Sequence, residues 1–549
     1  MFFVQDDFTI YKIFWERIFL NIYVETGYPD KVDFYIKSAK GKEYYIDSIL
    51  QGEGRYCIRL NIACVYDRSF LENGRWYIVV KLPDKTEKKC FVSTEVAYGF
   101  DDLSRIFRYA ENQMAYTLSF GIVSFDDKRL VFYMDSFFMF ENSKWRRRRY
   151  IREVRDAGAK LKRLFMFASI IMIRIYYHLI YILIPKNGNR VMIMSETKKN
   201  LWGNLKSIDE RIKERGLDKR FKITYSYRNT AGNHQKAKDI LSWMRVVTKI
   251  AAQDVIFVDD YAPVFGFFRL GKKTKLVQVW HAGEGFKSVG YSRFGKDGSP
   301  FPQGSCHKQY THVITGSKHL SDVFQEVFAV ESSAFYPLGM ARLDSFLDEA
   351  IIDNFKNEFY EKYPYLKNKK IILFAPTYRG ADQKDAYYDC DKIDLNRIGK
   401  FCREKGWVFL IKMHPFVGKS LEIPEECSKE IYEFSDYHNI NELYYITDLL
   451  ITDYSSNYFE YALMRRPVVF YTYDREIYEL TRGVHRNVKD NAPGKVCDTF
   501  EELMECLENQ DFETWKIEKF ADENFKEYDG KAADKIIDEI LVKKGSENE

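Results

Sequence analysis

Residues 1–143 alternate short apolar or aromatic runs with turn signals, and the runs have the two-residue period of β-strands. Asn73-Gly74 and Pro83-Asp84 are two of the turn signals that separate the runs. This pattern predicts an antiparallel β-domain over residues 1–143, arranged as a small sandwich. The predicted strands include Lys31–Ser38, Tyr56–Cys64, Arg75–Leu82, Lys89–Thr94 and Leu130–Met139.

From Arg190 onward, short apolar strands alternate with amphipathic helical stretches. Continuous apolar strands are typical of parallel sheets that are covered on both faces, and their alternation with helices predicts doubly wound α/β domains. Two such series occur, so we predict Rossmann-like domains at residues 190–350 and 351–540 that face each other across a cleft. The predicted strands are Val191–Ser195, Lys222–Tyr227, Val255–Asp259, Leu276–Trp280, His312–Thr315, Phe335–Leu338, Ile371–Ala375, Val408–Lys412, Glu430–Phe434, Leu449–Thr452 and Val468–Tyr471.

The junction between these regions, residues 144–189, is first basic and then apolar. A dense run of lysine and arginine from Lys144 to Arg163 precedes the apolar stretch Leu164–Ile184, which Arg174 and His178 interrupt. A charge near the middle of a bilayer is costly. Three interpretations stay open: a helix packed between domains, an interfacial helix with its basic residues on anionic headgroups, and a transmembrane helix.

Composition narrows the class of protein. A chain of 549 residues is too long for one core, and 46% hydrophobic with 30% charged residues is typical of a folded protein. A net charge of +4 is too small to indicate a nucleic-acid binder. The nine scattered cysteines show no metal-ligand spacing, so we expect reduced thiols. The N-terminus lacks the basic and apolar regions of a signal peptide, so we expect no secretory leader.

Candidate chemistry lies at strand ends, where open parallel sheets bind their ligands. The strand Leu449–Thr452 runs into Asp453 and then into Ser455 and Ser456, where a helix begins. A helix N-terminus has free N–H groups and a partial positive charge, so this element suits a phosphate. The alternative is that a serine only caps the helix.

Two further strand ends carry histidines. His281 follows a predicted strand and precedes a glycine-rich loop, and its titration near neutral pH suits a general base. Lys412 and His414 lie two residues apart after another strand, so they share a face and could together contact phosphate oxygens. The alternatives are a structural histidine bonded to a carbonyl group and a solvated strand edge.

Thr377 and Arg379 follow the strand Ile371–Ala375, with a turn and a surface arginine as the alternative. Each of these signals is weak alone. Their convergence at strand ends favours a phosphate-rich ligand in a cleft between two domains.

Through these motifs, taken in order, the chain resembles the CDP-glycerol glycerophosphotransferases of teichoic acid and related polymer synthesis. The resemblance extends from Arg190 to about Leu507. It implies a GT-B fold and a peripheral enzyme at the cytoplasmic face of the membrane. The motifs are Trp280-His281-Ala282-Gly283, Leu338–Asp344, Ala375–Arg379, Lys412–Pro415, Thr452–Ser456, Phe470–Asp474 and Pro493-Gly494.

The implied reaction is the transfer of glycerol phosphate or ribitol phosphate from CDP-glycerol or CDP-ribitol to a hydroxyl group of a lipid-linked or polymeric acceptor, with release of CMP. The expected partners are this anionic acceptor and the inner membrane surface, and neither nucleic acid nor a metal or other cofactor is expected. Two alternatives are a GT-B glycosyltransferase or epimerase that uses a sugar nucleotide, and a non-catalytic membrane-associated scaffold.

The resemblance also implies roles for individual residues. His281 is the expected general base, His414 is expected at the donor phosphates, and both are assigned as catalytic. Ser455 and Ser456 are expected on the diphosphate. Residues expected to add donor contacts are Lys412, Thr377, Arg379 and Asp453, and those expected at the acceptor or elsewhere in the cleft are Gly283, Lys287, Arg342 and Asp344.

Overall fold

Three sheets and a long helix organise the chain. The sheets lie one after another along the sequence, and the helix connects the first sheet to the second. The computed structural model describes residues 7–52, 54–65, 68–109, 114–124, 129–138, 157–228, 240–293, 305–380, 385–418, 421–479, 484 and 486–543.

The first sheet contains twelve strands, in agreement with the predicted β-domain. Paired strands run antiparallel except β1 and β9, which are parallel. The predicted sandwich of two sheets is replaced by one continuous sheet, because β12 pairs with β7, β9 and β11. Its elements are β1 (Phe8–Glu16), β2 (Phe19–Thr26), β3 (Asp33–Ser38), β4 (Glu43–Ile46), β5 (Ser48–Gly52), β6 (Arg55–Asn61), β7 (Gly74–Lys81), β8 (Glu87–Lys89), β9 (Phe91–Val92), α1 (Thr94–Tyr98), α2 (Phe100–Leu103), β10 (Arg105–Tyr109), β11 (Met114–Ser124) and β12 (Leu130–Phe138).

Helix α3 (Ala157–Leu183) occupies the apolar part of the predicted junction, whereas residues 139–156 with most of the basic run lie outside the described residues. One face of α3 packs on the second sheet's domain: Tyr177 is buried against Phe268, and Arg174 Nε donates to the carbonyl oxygen of Phe267 at 2.6 Å. Among the described residues, α3 is the one helix long and apolar enough to cross a membrane.

The second sheet has six parallel strands in the order β14-β13-β15-β16-β17-β18. Helices cover it because the strands are apolar on both faces and must be buried on both. The elements are β13 (Arg190–Ser195), α4 (Gly203–Glu214), β14 (Lys222–Tyr227), α5 (Ile240–Ala252), β15 (Val255–Val258), β16 (Lys275–Gln278), β17 (His312–Ile314), α6 (Lys318–Phe328) and β18 (Phe335–Tyr336).

The third sheet repeats this arrangement with six parallel strands in the order β21-β20-β19-β22-β23-β24. The elements are α7 (Glu349–Lys362), β19 (Lys370–Phe374), α8 (Leu395–Lys405), β20 (Trp407–Ile411), β21 (Ile431–Glu433), α9 (Ile440–Leu443), β22 (Leu449–Thr452), α10 (Asn457–Tyr461), β23 (Val468–Tyr471), α11 (Arg475–Tyr478), α12 (Val488–Asn491), β24 (Lys495–Cys497), α13 (Phe500–Asn509), α14 (Trp515–Phe525) and α15 (Ala532–Ile537).

The last helix, α15, returns to the second sheet's domain. Ile536 and Ile537 are buried in the same apolar cluster as Val191 and Ile193 of β13. Arg211 of α4 also forms an ion pair with Asp534 at 2.9 Å. The predicted boundary, which grouped these last residues with the third sheet's domain, therefore needs correction here, because their apolar side chains complete the core of the preceding domain. The other domain boundaries stay predictions.

Candidate active site

His281 lies on the loop that follows β16, directly after a residue in a strained conformation. Trp280 has φ of +43°, in the left-handed region that side chains with a Cβ atom rarely adopt. Two buried side chains hold this turn in place. Asn204 Nδ2 donates to the carbonyl oxygen of Trp280 at 2.7 Å, and Gln278 Oε1 accepts from the N–H of Trp280 at 2.8 Å. Sequence reasoning missed both residues, because neither lies in a recognisable motif.

The hydrogen bond of the His281 ring determines which nitrogen can act as a base. Nδ1 lies 3.0 Å from the carbonyl oxygen of Asp259, and a carbonyl oxygen can only accept, so Nδ1 carries the hydrogen. The neutral ring then has its lone pair on Nε2. The carboxylate of Asp260, 3.7 Å from Nδ1, would stabilise the positive charge after protonation. The side chain is 36% exposed, so a substrate can reach it.

The loop that carries His281 packs directly on the third sheet's domain. A Cβ atom on Gly283 would lie 2.1 Å from the ring of Phe459, so only glycine permits this approach. A Cβ atom on Gly285 would lie 3.1 Å from Cβ of Ser456. Gly283 therefore acts as a packing residue, and the His281 loop reaches the helix start at Ser456, as the predicted cleft requires.

Lys287 lies on the same loop and bridges the two α/β domains. Its Nζ atom donates to Oγ1 of Thr377 at 2.8 Å, and its backbone forms an antiparallel bridge with Val484. The Thr377 hydroxyl is thereby bonded to a cation, and its side chain is almost fully buried. Lys287 and Thr377, predicted on opposite sides of the cleft, are thus in contact.

In His414 the two ring nitrogens have the opposite roles from those in His281. Its Nδ1 accepts from the backbone N–H of Phe416 at 3.2 Å, so the hydrogen of the neutral ring is on Nε2. Burial, together with the charges of Lys287 and Lys412, lowers the pKa of His414 to about 4. At neutral pH His414 is therefore uncharged and presents an N–H donor.

The ammonium group of Lys412, which the sequence predicts at the donor phosphates, is hydrogen-bonded within the protein. The side chain is buried, and Nζ donates to the carbonyl oxygen of Ser435 at 2.5 Å. Burial lowers the pKa of Lys412. The ammonium therefore ties the His414 loop to the next segment and lowers the pKa of His414 rather than pointing into solvent.

Ser455 and Ser456 lie between β22 and α10 and are partly exposed. Ser456 is the N-cap residue of α10, but its hydroxyl makes no capping hydrogen bond within the described part of the chain. The structure therefore does not support the alternative interpretation, in which the serine serves only as a helix cap. The hydroxyl at this helix start is available to a ligand.

Arg379 and Asp453 form a buried ionic network instead of the predicted donor contacts. The guanidinium group of Arg379 donates to Asp453 at 2.7 Å and to Asp474 at 2.6 and 2.9 Å, and the residue is 5% exposed. Burial alone would lower the pKa of Arg379, but the two carboxylates raise it well above its usual value. These internal bonds leave both residues without a free group aimed at a donor, and their donor-binding role stays a prediction.

Arg342 and Asp344 also have internal partners rather than an acceptor. Arg342 pairs with the buried Glu460 of α10 and so joins the two α/β domains. Asp344 accepts from the N–H groups of Ala532 and Ala533 at 2.8 and 2.7 Å, so it caps α15. Both residues therefore have structural roles here, and their contact with an acceptor stays a prediction.

A cavity of about 1160 Å³ lies elsewhere, between α7 and residues 432–445. Of the predicted site residues, only Arg342 lines it. The His281 loop and its contacts are the better candidate site, because they offer a lone pair, an N–H donor and hydroxyl groups with no hydrogen bond to the described residues, which suit phosphoryl chemistry. In the described residues, no group of three or more histidine, cysteine or acidic side chains could hold a metal ion.

The fold and these residues define a tandem of two parallel α/β domains with a histidine loop from each. Residues 175–542, more than half of the chain, match the family described as CDP-Glycerol:Poly(glycerophosphate) glycerophosphotransferase. The chain therefore belongs to this family of transferases.

The relatives that match the chain include teichoic acid enzymes. TarL of Staphylococcus aureus, a teichoic acid ribitol-phosphate polymerase, is 35% identical over 375 residues, which cover 68% of this chain and 65% of TarL. A teichoic acid ribitol-phosphate primase of Bacillus spizizenii is 30% identical over 373 residues, 66% of this chain and 94% of the primase. The chain thus spans less than two thirds of the length of TarL.

A solved structure of the wall teichoic acid polymerase TagF has the same fold. Its TM-score is 0.51 at 20% identity, and the match covers 73% of this chain and 98% of the TagF chain.

Proposed function

We propose that this protein transfers a polyol phosphate from a CDP-polyol to a hydroxyl group of a teichoic acid acceptor and releases CMP. The observation that carries the proposal is the Nε2 lone pair of His281, on a loop that packs on the Ser456 helix start. Family membership supplies the class of reaction.

In the proposed mechanism, His281 Nε2 removes the proton of the acceptor hydroxyl as its oxygen attacks the phosphorus that carries the polyol. The bond between this phosphorus and the bridging oxygen of CMP breaks, and CMP leaves with that oxygen. The carbonyl oxygen of Asp259 holds the ring orientation, and the Asp260 carboxylate stabilises the imidazolium that forms.

His414 would stabilise the charge on the transferring and leaving phosphates. Its pKa of about 4 keeps the ring neutral, so it acts as an N–H donor and not as a source of a full proton. Ser455 and Ser456 would add hydroxyl donors at the start of α10. Preorganised donors of this kind act where charge develops in the transition state. Two parallel α/β domains that face each other across such a site have the arrangement of a GT-B fold.

We favour CDP-ribitol as the donor. TarL and TarK of Staphylococcus aureus, both named teichoic acid ribitol-phosphate polymerases, are 35% and 34% identical to this chain. The poly(glycerol phosphate) polymerase of Bacillus spizizenii is 27% identical. A variant of TagF has been soaked with CDPG, so CDP-glycerol is the second donor to test.

We also propose that the protein binds the inner membrane surface through α3. The exposed apolar side chains of α3 recur every three or four residues and form one stripe, opposite the face that packs on the protein. A stripe of this kind suits the boundary between headgroups and acyl chains, where a lipid-linked acceptor is located. The stripe consists of Leu161, Leu164, Phe165, Ile171, Met172, Ile175, Leu179, Ile182 and Leu183, and the exposed Met166 is an exception on the other side of the helix.

The test is CMP release from CDP-ribitol and from CDP-glycerol, with and without a short polyol-phosphate acceptor. Wild-type protein should release CMP only when the acceptor is present. His281→Ala should lose about 10²- to 10⁴-fold in turnover, the usual contribution of a general base, while calorimetry still detects donor binding.

His312→Gln is the matched control, because His312 lies at the amino end of β17, away from the strand ends that carry the site. It should keep wild-type turnover. Near-normal turnover of His281→Ala would exclude His281 as the base. Folded wild-type protein that releases CMP from neither donor would contradict the proposed function and lead to tests with sugar nucleotides.

A further inference from the structure

We infer that Arg17 of the β-domain is a positioning residue that holds the two α/β domains together at the catalytic loop. The inference deepens the proposed function and rests on it. It gives the β-domain, which lies outside the family match at residues 175–542, a role in the reaction.

The guanidinium group of Arg17 contacts three separate segments. Nε donates to Oε1 of Glu326 in α6 at 2.6 Å, and Glu326 is buried. NH2 donates to the carbonyl oxygen of Ser292 at 2.9 Å, and NH1 donates to the carbonyl oxygen of Val484 at 3.2 Å. Glu326 and Ser292 belong to the second sheet's domain, whereas Val484 belongs to the third sheet's domain.

Two of these three contacts, those with Ser292 and Val484, are connected to the loop that carries His281. Ser292 lies eleven residues after His281, in the same connection between β16 and β17. Val484 forms a backbone bridge with Lys287, whose Nζ atom donates to Thr377 at 2.8 Å. Arg17 therefore fixes the loop beyond His281 and also the segment of the other domain against which this loop is paired.

The backbone of Arg17 supports the same conclusion. Arg17 and Ile18 form the two-residue turn between β1 and β2, and Arg17 has φ of +57°. Glycine or asparagine is usual at such a position, because most side chains with a Cβ atom are strained at positive φ. In this protein the turn directs the long cationic side chain of Arg17 towards both α/β domains.

A single guanidinium group with five N–H donors suits this task, since it can bond several carbonyl oxygens and a carboxylate at once. A lysine at the same position could keep the ion pair with Glu326 but could not reach three segments with one ammonium group.

The test compares two double variants of full-length protein. Arg17→Ala with Glu326→Gln removes the three contacts without leaving a buried unpaired carboxylate. The matched control is Arg68→Ala with Glu331→Gln. Arg68 also joins the β-domain to the second sheet's domain, through Glu331 at 2.8 Å and the carbonyl oxygen of Lys308 at 2.8 Å, and it has no contact with the third sheet's domain in the described residues.

We expect the Arg17 double variant to lose about 10- to 100-fold in kcat for CMP release, the usual effect of misplacing a catalytic group by a fraction of an ångström to an ångström. The KM for the CDP-polyol should change little, and peptides that contain Lys287 and Val484 should exchange their amide hydrogens faster. The control should keep the wild-type kcat and the wild-type exchange in these peptides. Arg17→Lys should have an intermediate kcat.

A folded Arg17 double variant with wild-type kcat and wild-type exchange would overturn the inference, as would an equal loss of kcat in the control. If wild-type protein releases no CMP from either donor, the proposed function fails. The exchange comparison then still decides whether Arg17 holds the two domains together.

Discussion

The Nζ atom of Lys287 donates to Oγ1 of Thr377 at 2.8 Å, and this hydrogen bond crosses from one α/β domain to the other. Lys287 is also one of the two cations that lower the pKa of His414. One side chain thus joins the domains and adds to the effect of burial in lowering the pKa of the second histidine. The chemistry at His414 is therefore coupled to the contact between the domains.

Lys287→Met should raise the pKa of His414 above its value of about 4. Burial is the largest cause of the low pKa and remains in the variant, so the rise should be partial. Titration of the His414 ring by NMR measures it. Lys400→Met, at an exposed position of α8 in the same domain, should leave the titration unchanged. An unaltered His414 pKa in Lys287→Met would contradict the coupling.

Arg379→Ala should destabilise the protein by about 3–5 kcal/mol, because it leaves the buried carboxylate of Asp453 and the carboxylate of Asp474 without their cation. Urea unfolding measures the loss. Arg397→Ala removes an exposed ion pair with Glu501 and should change stability little. Normal stability of Arg379→Ala combined with lost donor affinity would instead support the predicted role of Arg379 as a phosphate ligand.

The ion pair between His319 and Glu284 should make stability depend on pH. The hydrogen bond to Glu284, at 3.0 Å, raises the pKa of His319 against the opposing effect of burial. A raised histidine pKa contributes stability that is complete below the unfolded value of about 6.5 and is lost as the pH rises through the folded value.

Unfolding free energies between about pH 5.5 and 8.5 should therefore show the advantage of wild-type protein over His319→Gln shrinking as the pH rises. A difference that stays constant over this range would mean that the proton on His319 does not stabilise the fold. Since Glu284 lies on the His281 loop, the protection of this loop's amides relative to their base-catalysed intrinsic exchange should fall as the pH rises in wild-type protein.

Replacing Met172 and Ile182 of α3 by glutamate should abolish flotation of the protein with anionic vesicles. Both side chains are highly exposed in the apolar stripe, and a carboxylate there opposes insertion and repels anionic headgroups. Ile106→Glu alters another exposed apolar residue, in the β-domain, and should float like wild-type protein. Flotation of the α3 double variant at low salt would exclude the stripe as the membrane surface.

The sequence predicts eleven of the twelve strands in the two parallel sheets, because these strands can be recognised from their own residues; it misses β24, whose three residues form no apolar run. Leu449–Thr452 and Val468–Tyr471 have the predicted bounds, since their apolar runs end at polar residues. The first sheet is different: β1 pairs in parallel with β9, about eighty residues away, and β12 has three partners. Such pairing depends on contacts between distant segments, which no local pattern specifies.

The same limit applies to the site. Arg379 and Asp453 follow apolar strands just as His414 and Ser455 do, and the sequence cannot tell that the first two bind each other. Asn204, which holds the backbone before His281, lies in a helix distant in sequence and has no motif. The roles of His281, His414 and the two serines stay predictions that the variants above test.

The return of α15 to the second sheet's domain has a consequence for the order of folding during synthesis. Ile536, Ile537 and Ile540 share an apolar cluster with residues of a sheet that starts at Arg190, where α4 covers only part of the face, so this face is completed only after residues 532–540 have left the ribosome. The two α/β domains therefore complete their cores together rather than one after the other. A chain that ends before residue 532 should expose this face and aggregate, even though every strand of both parallel sheets is present.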